Sequence, residues 1–287
     1  MKTARPGSGS ASSTRVRRRV PVAGKARHPF RRRVRGGVDA MPEVEISETG
    51  NIRSLHLGSE TVQSSMNLDE PSELVLSYTR AMAGFLLFSE EPEHILHIGL
   101  GGGSLVRFID EYLPDARQVA VEINPQVVAV ARSFFQLPPE GEYFEIVEAD
   151  GADYVKIPRD SADAILVDGY DGLQIVDALV SDDFFEDCKR ALSPRGVFVA
   201  NWWSGDKRYQ GFLERLLAVF DGRVLELPSA GHGNVAVLAF RQSPVPTAWD
   251  ALEERAARLE CRYGVEFSDF VRRLRESNLH SAGRLLI

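Results

Sequence analysis

This chain is short of cysteine, of long apolar runs and, over its first forty residues, of acid. Its 287 residues hold two cysteines, Cys188 and Cys261. Two distant thiols supply neither a metal-ligand spacing nor a disulfide framework, so a reducing, cytoplasmic setting is expected. No apolar run approaches the roughly 20 residues that a helical membrane span requires. Residues 1–40 carry twelve Lys/Arg against one acid, Asp39, with basic clusters at Arg15–Arg19 and Arg31–Arg35. The segment has no apolar stretch like that of a secretory signal. It is expected to be a basic disordered tail, or sequence ahead of a true start at Met41. The remainder carries 22 Lys/Arg against 40 Asp/Glu. A body with that surplus of acid attracts cationic ligands and repels nucleic acid, which is expected to bind, if at all, through the tail.

From Met41 onward the pattern is globular. Residues 44–58 read as a β-hairpin, two alternating runs broken at Thr49-Gly50-Asn51. The stretch SETVQSSMNLDEPSEL reads as a loop, and Leu74–Phe88 has apolar residues at helical spacing. Strands are then expected near 95–99, 117–122, 143–148, 163–168 and 195–201, alternating with helices near 103–113, 124–135, 180–191 and 207–220. Such alternation implies a doubly wound, mostly parallel sheet of the Rossmann-like, methyltransferase type. Two late apolar runs around SAGHG suggest an antiparallel terminal strand. The organisation expected is a tail at 1–40, a small hairpin-and-helix segment at 41–92, a catalytic α/β domain at 93–245 and C-terminal helices at 246–287.

The stretch from His94 to Glu122 carries most of the functional signal. An apolar run ends in Gly99, Gly101, Gly102 and Gly103, a helical pattern follows, and the next apolar run ends in an acid. Glycines let the backbone turn sharply and let a ligand come close. An acid about 20 residues past such a loop is placed to bond ribose hydroxyls. In an open parallel sheet, ligands bind beyond the carboxyl ends of the strands. Four acids fall at such ends: Glu122, Asp150 (followed by Gly151), Asp168 and Asp171. Like charges so close are costly unless a cation, a metal or hydrogen-bond donors compensate. Glu122 and Asp150 suit a nucleoside, through its ribose and its adenine amino group. Asp168 and Asp171 are then left for a primary amine or diamine. A metal pair lacks further ligands nearby. His97 reads as a packed core residue, Ser104 as a ligand donor or, more commonly, a helix cap, and Trp202 and Trp203 as pocket wall or packing.

On these residues the chain resembles the spermidine synthase (polyamine aminopropyltransferase) family, as a divergent member. The family's glycine motif is matched loosely by Gly99–Ser104 and Arg107, its ribose-binding Glu by Glu122, and its adenine-contacting pair by Asp150-Gly151. Its acidic pair falls on Asp168 and Asp171, and the resemblance makes Asp168 the proton acceptor. Tyr78 matches the amine-contacting tyrosine, with Gln63 upstream. Some positions depart from the family: its loop acid is Gly102 here, and the residues after the tyrosine are Thr79 and Arg80. The late tyrosine of a YPSG-like segment is Leu227. Arg80 is expected to point away from the amine or to pair with an acid such as Glu73 or Asp69.

The resemblance implies transfer of an aminopropyl group from decarboxylated S-adenosylmethionine, a co-substrate rather than a prosthetic group, to a polyamine such as putrescine. Spermidine and methylthioadenosine would be the products. The expected partner is a small diamine or polyamine, with no membrane, and relatives that dimerise leave room for a homodimer. Two other readings compete: a methyltransferase using intact S-adenosylmethionine, whose carboxylate the absent acid at Gly102 would no longer repel, and a non-catalytic nucleoside- or polyamine-binding homologue.

Overall fold

The computed structural model describes residues 41–157, 161–170, 174–231 and 233–287, together with the backbone of Val16–Arg19. The remainder of the basic tail, and Asp171, lie outside the described residues. Four antiparallel strands open the fold in spatial order: β1 (Val16–Arg19), β2 (Val44–Thr49), β3 (Ile52–Leu57) and β4 (Val62–Asn67). The hairpin expected around Gly50 is thus β2–β3, and Gly50 takes the positive φ of +58° that its tight turn needs. The loop expected at 59–74 is in part a strand, β4. Its polar sequence hides buried positions, because Ser64, Ser65 and Met66 all face packed surroundings. The hydroxyls are satisfied by neighbouring elements, with Ser65 Oγ 2.9 Å from Ser54 Oγ of β3 and Ser64 Oγ 3.1 Å from the hydroxyl of Ser104.

The second sheet has seven strands in the order β10-β11-β9-β8-β5-β6-β7. They are β5 (His94–Ile98), β6 (Arg117–Glu122), β7 (Phe144–Glu148), β8 (Ala162–Val167), β9 (Leu192–Trp203), β10 (Val224–Pro228) and β11 (Asn234–Phe240). The first five in chain order, β5 to β9, are parallel, while β11 runs antiparallel between β9 and β10. Strand β8 shows why periodicity works here. Ala164 and Leu166 join the core on one face, and Ile165 and Val167 join that on the other.

One face is covered by α1 (Ser77–Ala83), α2 (Ser104–Tyr112), α7 (Trp249–Tyr263) and α8 (Phe267–Ser277), around Phe85, Phe108, Phe267 and Phe270. The other is covered by α5 (Asp182–Ala191) and α6 (Tyr209–Val219), around Phe184, Phe185, Phe198, Trp202 and Phe220. Helix α3 (Pro125–Phe134) starts at Asn124, whose Oδ1 accepts from the Gln126 amide, with Pro125 at its first position. Its Val127 and Val130 pack with Val44, Ile46, Leu55 and Met66 of the first sheet. That contact brings the antiparallel sheet against the glycine loop. The chain runs outward from β5 to β7, then returns to β8 on the opposite side of β5. The crevice at this reversal of strand order lies between the ends of β5 and β8.

Candidate active site

The glycine loop leaves β5 at this crevice. Gly99, Gly101 and Gly103 have φ of +93°, +52° and +70°, a region that residues with a Cβ avoid. A Cβ on Gly99 would also meet the carbonyl oxygen of Asp168, so the loop and the end of β8 touch through backbone. The Asp168 amide donates to Ile98 O at 2.9 Å. The acid at the end of β8 and the glycine turn are therefore direct neighbours.

Buried Arg107 braces the loop from behind. Its guanidinium donates to Pro71 O at 2.6 Å, to Phe135 O at 2.9 Å and to Gly102 O. Among the described residues no carboxylate pairs with it, and burial pulls its pKa down to about 9. Ser104 does not cap α2. The residue at the cap is Gly103, and the Ser104 hydroxyl instead donates to Ser65 O at 3.1 Å, tying the loop to β4.

Glu122 ends β6 with 8% of its surface exposed. Its Oε2 accepts from the Leu100 amide at 3.0 Å and its Oε1 from the Asn124 amide at 2.8 Å. Burial raises its pKa above the ordinary value, against those backbone donors. Asp150 caps the short helix α4 (Gly151–Tyr154), and its Oδ1 accepts from Ala152 at 2.8 Å and from Asp153 at 3.4 Å. Both bonds fall on one oxygen. Ile98 packs where Gly151 would carry a Cβ. Gly99, Gly101, Glu122, Asp150, Gly151 and Asp168 line a cavity of about 470 Å³, closed on the far side by Leu57 and Gln63. This is the size of an ordinary small-ligand site.

A second cavity, of about 850 Å³, lies beyond it, lined by Gln63, Tyr78, Arg80, Asp168, Tyr170, Asn201, Trp203 and Asn234. Gln63, Asp168 and Tyr170 belong to both walls. Asp168 Oδ1 accepts from Asn201 Nδ2 at 2.9 Å. The Tyr78 hydroxyl lies beside the same carboxyl and donates to Gln63 O at 2.7 Å. Burial raises the Asp168 pKa, opposed by the bonds from Asn201 and Tyr78. Burial, and then the Asp168 charge, push Tyr78 well above its usual range and keep it a neutral donor.

Arg80 pairs with neither Glu73 nor Asp69. Its Nε meets Glu266 at 3.0 Å and its Nη1 donates to Leu74 O and Val75 O at 2.9 Å. His97 is core: it bonds Gln118 at 3.0 Å, and burial pulls its pKa down to about 4. Trp202 is buried, whereas Trp203 is 52% exposed and faces the second cavity. Another depression, of about 550 Å³, lies at the amino ends of β5 and β6 beside His94, Arg117 and Glu142, away from the converging acids. Among the described residues, no group of three or more His, Cys, Asp or Glu could hold a metal ion. No helix among them is long and apolar enough to cross a membrane.

Sequence reasoning missed Asn201, Asn234 and Tyr170. Strand register held a signal for the first, because Val167 pairs with Ala200 and so places Asn201 beside Asp168.

A doubly wound sheet whose glycine loop and strand-end carboxylates frame one cavity, with a half-buried carboxyl facing a second, defines a nucleoside-dependent transferase architecture. Residues 75–204 match the spermine/spermidine synthase domain. The chain is 75% identical to a polyamine aminopropyltransferase of Chromobacterium violaceum, over 91% of this chain and all of that one. It is 64% identical to that of Neisseria meningitidis, over 88% of this chain and 96% of that one. The crystal structure of a probable spermidine synthase from Corynebacterium glutamicum shares the fold, with a TM-score of 0.65 at 19% identity over 93% of this chain and all of that one. The chain belongs to the spermine/spermidine synthase (polyamine aminopropyltransferase) family.

Proposed function

We propose that this protein transfers an aminopropyl group from decarboxylated S-adenosylmethionine to a polyamine such as putrescine, releasing methylthioadenosine and spermidine. The observation that carries this reading is the position of Asp168, a half-buried carboxyl in the wall shared by two cavities. The first cavity suits adenosine. Glu122 accepts from the ribose hydroxyls, the free oxygen of Asp150 takes the adenine amino group, and the glycines admit the nucleoside without a Cβ in its path. The second suits the acceptor, held near Asp168 by Tyr78, Gln63 and Asp171.

The sulfonium is already an activated leaving group, so the protein has two tasks: alignment and deprotonation. An alkylammonium has a pKa near ~10, like lysine, and must lose a proton before its nitrogen can attack. Asp168 takes that proton, and a carboxyl whose pKa burial has raised is a better base than one in water. The nitrogen lone pair then forms a bond to the methylene beside sulfur. The carbon–sulfur bond breaks, and its electron pair stays on sulfur as a neutral thioether. Stacking the two cavities across one wall holds nucleophile and leaving group in line.

The test is product analysis with decarboxylated S-adenosylmethionine and a panel of diamines. Methylthioadenosine together with an aminopropylated amine supports the reading, and Asp168→Asn should lower turnover by roughly 10²–10⁴. Full activity in that variant removes Asp168 from the role. Calorimetry with the intact nucleoside tests the methyltransferase reading that the glycine at 102 keeps open. Preference for the intact form, without aminopropyl product, would establish that reading instead.

A further inference from the structure

Three adjacent strands deliver a short chain of amides to the Asp168 carboxyl. Asn234 Nδ2, at the start of β11, donates to Asn201 Oδ1 at 2.9 Å. Asn201 Nδ2, near the end of β9, donates to Asp168 Oδ1 at 2.9 Å. Asn201 is buried, and both asparagines line the acceptor cavity.

We infer that Asn201 and Asn234 are positioning residues that aim the Asp168 base and keep it ready to accept a proton. The oxygen and nitrogen ends of asparagine have almost the same shape, and a 180° flip costs little unless the surroundings distinguish them. With its nitrogen toward Asp168, Asn201 donates to the carboxylate. Flipped, it would set a carbonyl oxygen against a carboxylate oxygen. Asn234 opposes a flip of Asn201 alone, because that would set the two amide nitrogens against each other in place of the bond to the Asn201 oxygen. The outer asparagine therefore supports the orientation of the inner one, and the inner one holds Oδ1 of the Asp168 carboxyl.

Asp168 meets other polar groups from the elements around it. Tyr78 approaches from α1, Tyr170 from the segment after β8, and His97 of β5 lines a small polar cavity of about 30 Å³ that also touches Tyr78 and Asp168. Arg80 lines the acceptor cavity but is engaged by Glu266. His97 is neutral near pH 7 and both tyrosines keep their protons. The Asn201 bond is thus the described amide contact that stabilises the ionised carboxyl, and its removal should raise the Asp168 pKa.

This inference rests on the aminopropyl-transfer reading for its kinetic arm alone. The variants are Asn201→Leu, Asn234→Leu and the conservative Asn234→Ser, which keeps a donor. The readouts are the pH profile of kcat and direct titration of the Asp168 carboxyl by carbon-13 NMR in each full-length protein. A bond to a charged group is worth enough to move a pKa by about one unit. Asn201→Leu should therefore lift both the acid limb and the NMR midpoint by about one unit, with kcat roughly tenfold lower at pH values on that limb and an unchanged KM for the nucleoside. Asn234→Leu should shift both in the same direction by less, and Asn234→Ser should recover most of the loss. Identical Asp168 titration in the wild type and Asn201→Leu overturns the inference, whatever the activity. An NMR shift without aminopropyl product from any variant keeps the inference and instead defeats the assigned reaction.

Discussion

Restoring the family's missing acid at position 102 should damage this protein rather than improve it. Gly102 is buried, and a Cβ built there would lie 2.8 Å from Phe135 Cδ1, 2.9 Å from Phe135 Cε1 and 2.8 Å from Ser64 Oγ. Phe135 is fully enclosed, and Ser64 is held by Ser104, so neither can withdraw freely. Overpacking of this kind costs about 1–3 kcal/mol. A carboxylate adds desolvation, because the nearest cation, Arg107, already binds the Gly102 carbonyl oxygen. Gly102→Asp should therefore lose about 2–5 kcal/mol, and Gly102→Ala about 1–3 kcal/mol. For a domain of this size that lowers Tm by about 5–15 °C and about 2–10 °C respectively. Thermal and urea unfolding, with calorimetric binding of the nucleoside, would measure it. Pairing each change with Ser64→Ala removes one of the two contacts and should return part of the loss. If Gly102→Asp unfolds at the parental midpoint and binds the decarboxylated nucleoside more tightly, the loop has room that the packing denies, and the reasoning fails.

Further predictions follow from the same site. Gly99→Ala combines a φ of +93° with a collision against the Asp168 carbonyl, so turnover should fall more than tenfold even where a folded fraction remains, as single-turnover kinetics would reveal. The raised Asp168 pKa means that ionising it in the fold costs stability: the benefit of the neutral form is complete at low pH and is lost as pH rises through the folded pKa. Asp168→Asn should accordingly be more stable than the parent at pH 7, with the difference gone below about pH 4, as Tm against pH would show. Trp203→Ala removes a wall of the acceptor cavity whose indole lies 2.5 Å from where a Gly205 Cβ would sit. KM for the amine should rise about tenfold, equivalent to about 1.4 kcal/mol, while KM for the nucleoside stays put.

Where burial tracked hydrophobicity, the fold was legible in the sequence. Strands expected at 117–122 and 163–168 appear at Arg117–Glu122 and Ala162–Val167, and the helix expected at 124–135 appears at Pro125–Phe134. In each, apolar period and punctuation agree. Where polar groups are buried in partnership, the pattern misled. Strand β4 hides behind Ser64 and Ser65, whose hydroxyls are bonded to α2 and to β3, and a hydrophobicity pattern carries no trace of that bonding. Leu74–Phe88 is shorter as α-helix than its periodicity suggested, since α1 stops at Ala83 and a 3-10 turn follows at Gly84–Leu87. In the site, Gly99, Gly101, Glu122, Asp150, Gly151 and Asp168 converge on one cavity, because each ends a neighbouring strand or starts the turn after it. Gln63 and Tyr78 join them through tertiary packing alone. Arg80 could not be assigned from its neighbours, because its partner Glu266 is almost two hundred residues away and reaches it only once α8 docks.

Strand β4 has a consequence for any attempt to shrink this protein. Residue 63 belongs to the small antiparallel sheet, ahead of the segment 75–204 that carries the family match, yet it faces both ligand volumes. A minimal version cut down to the seven-stranded core would retain Asp168 and Glu122, but the Gln63 part of the wall between the two cavities would be missing. Such a fragment should still capture nucleoside weakly and should fail at coupling the two reactants.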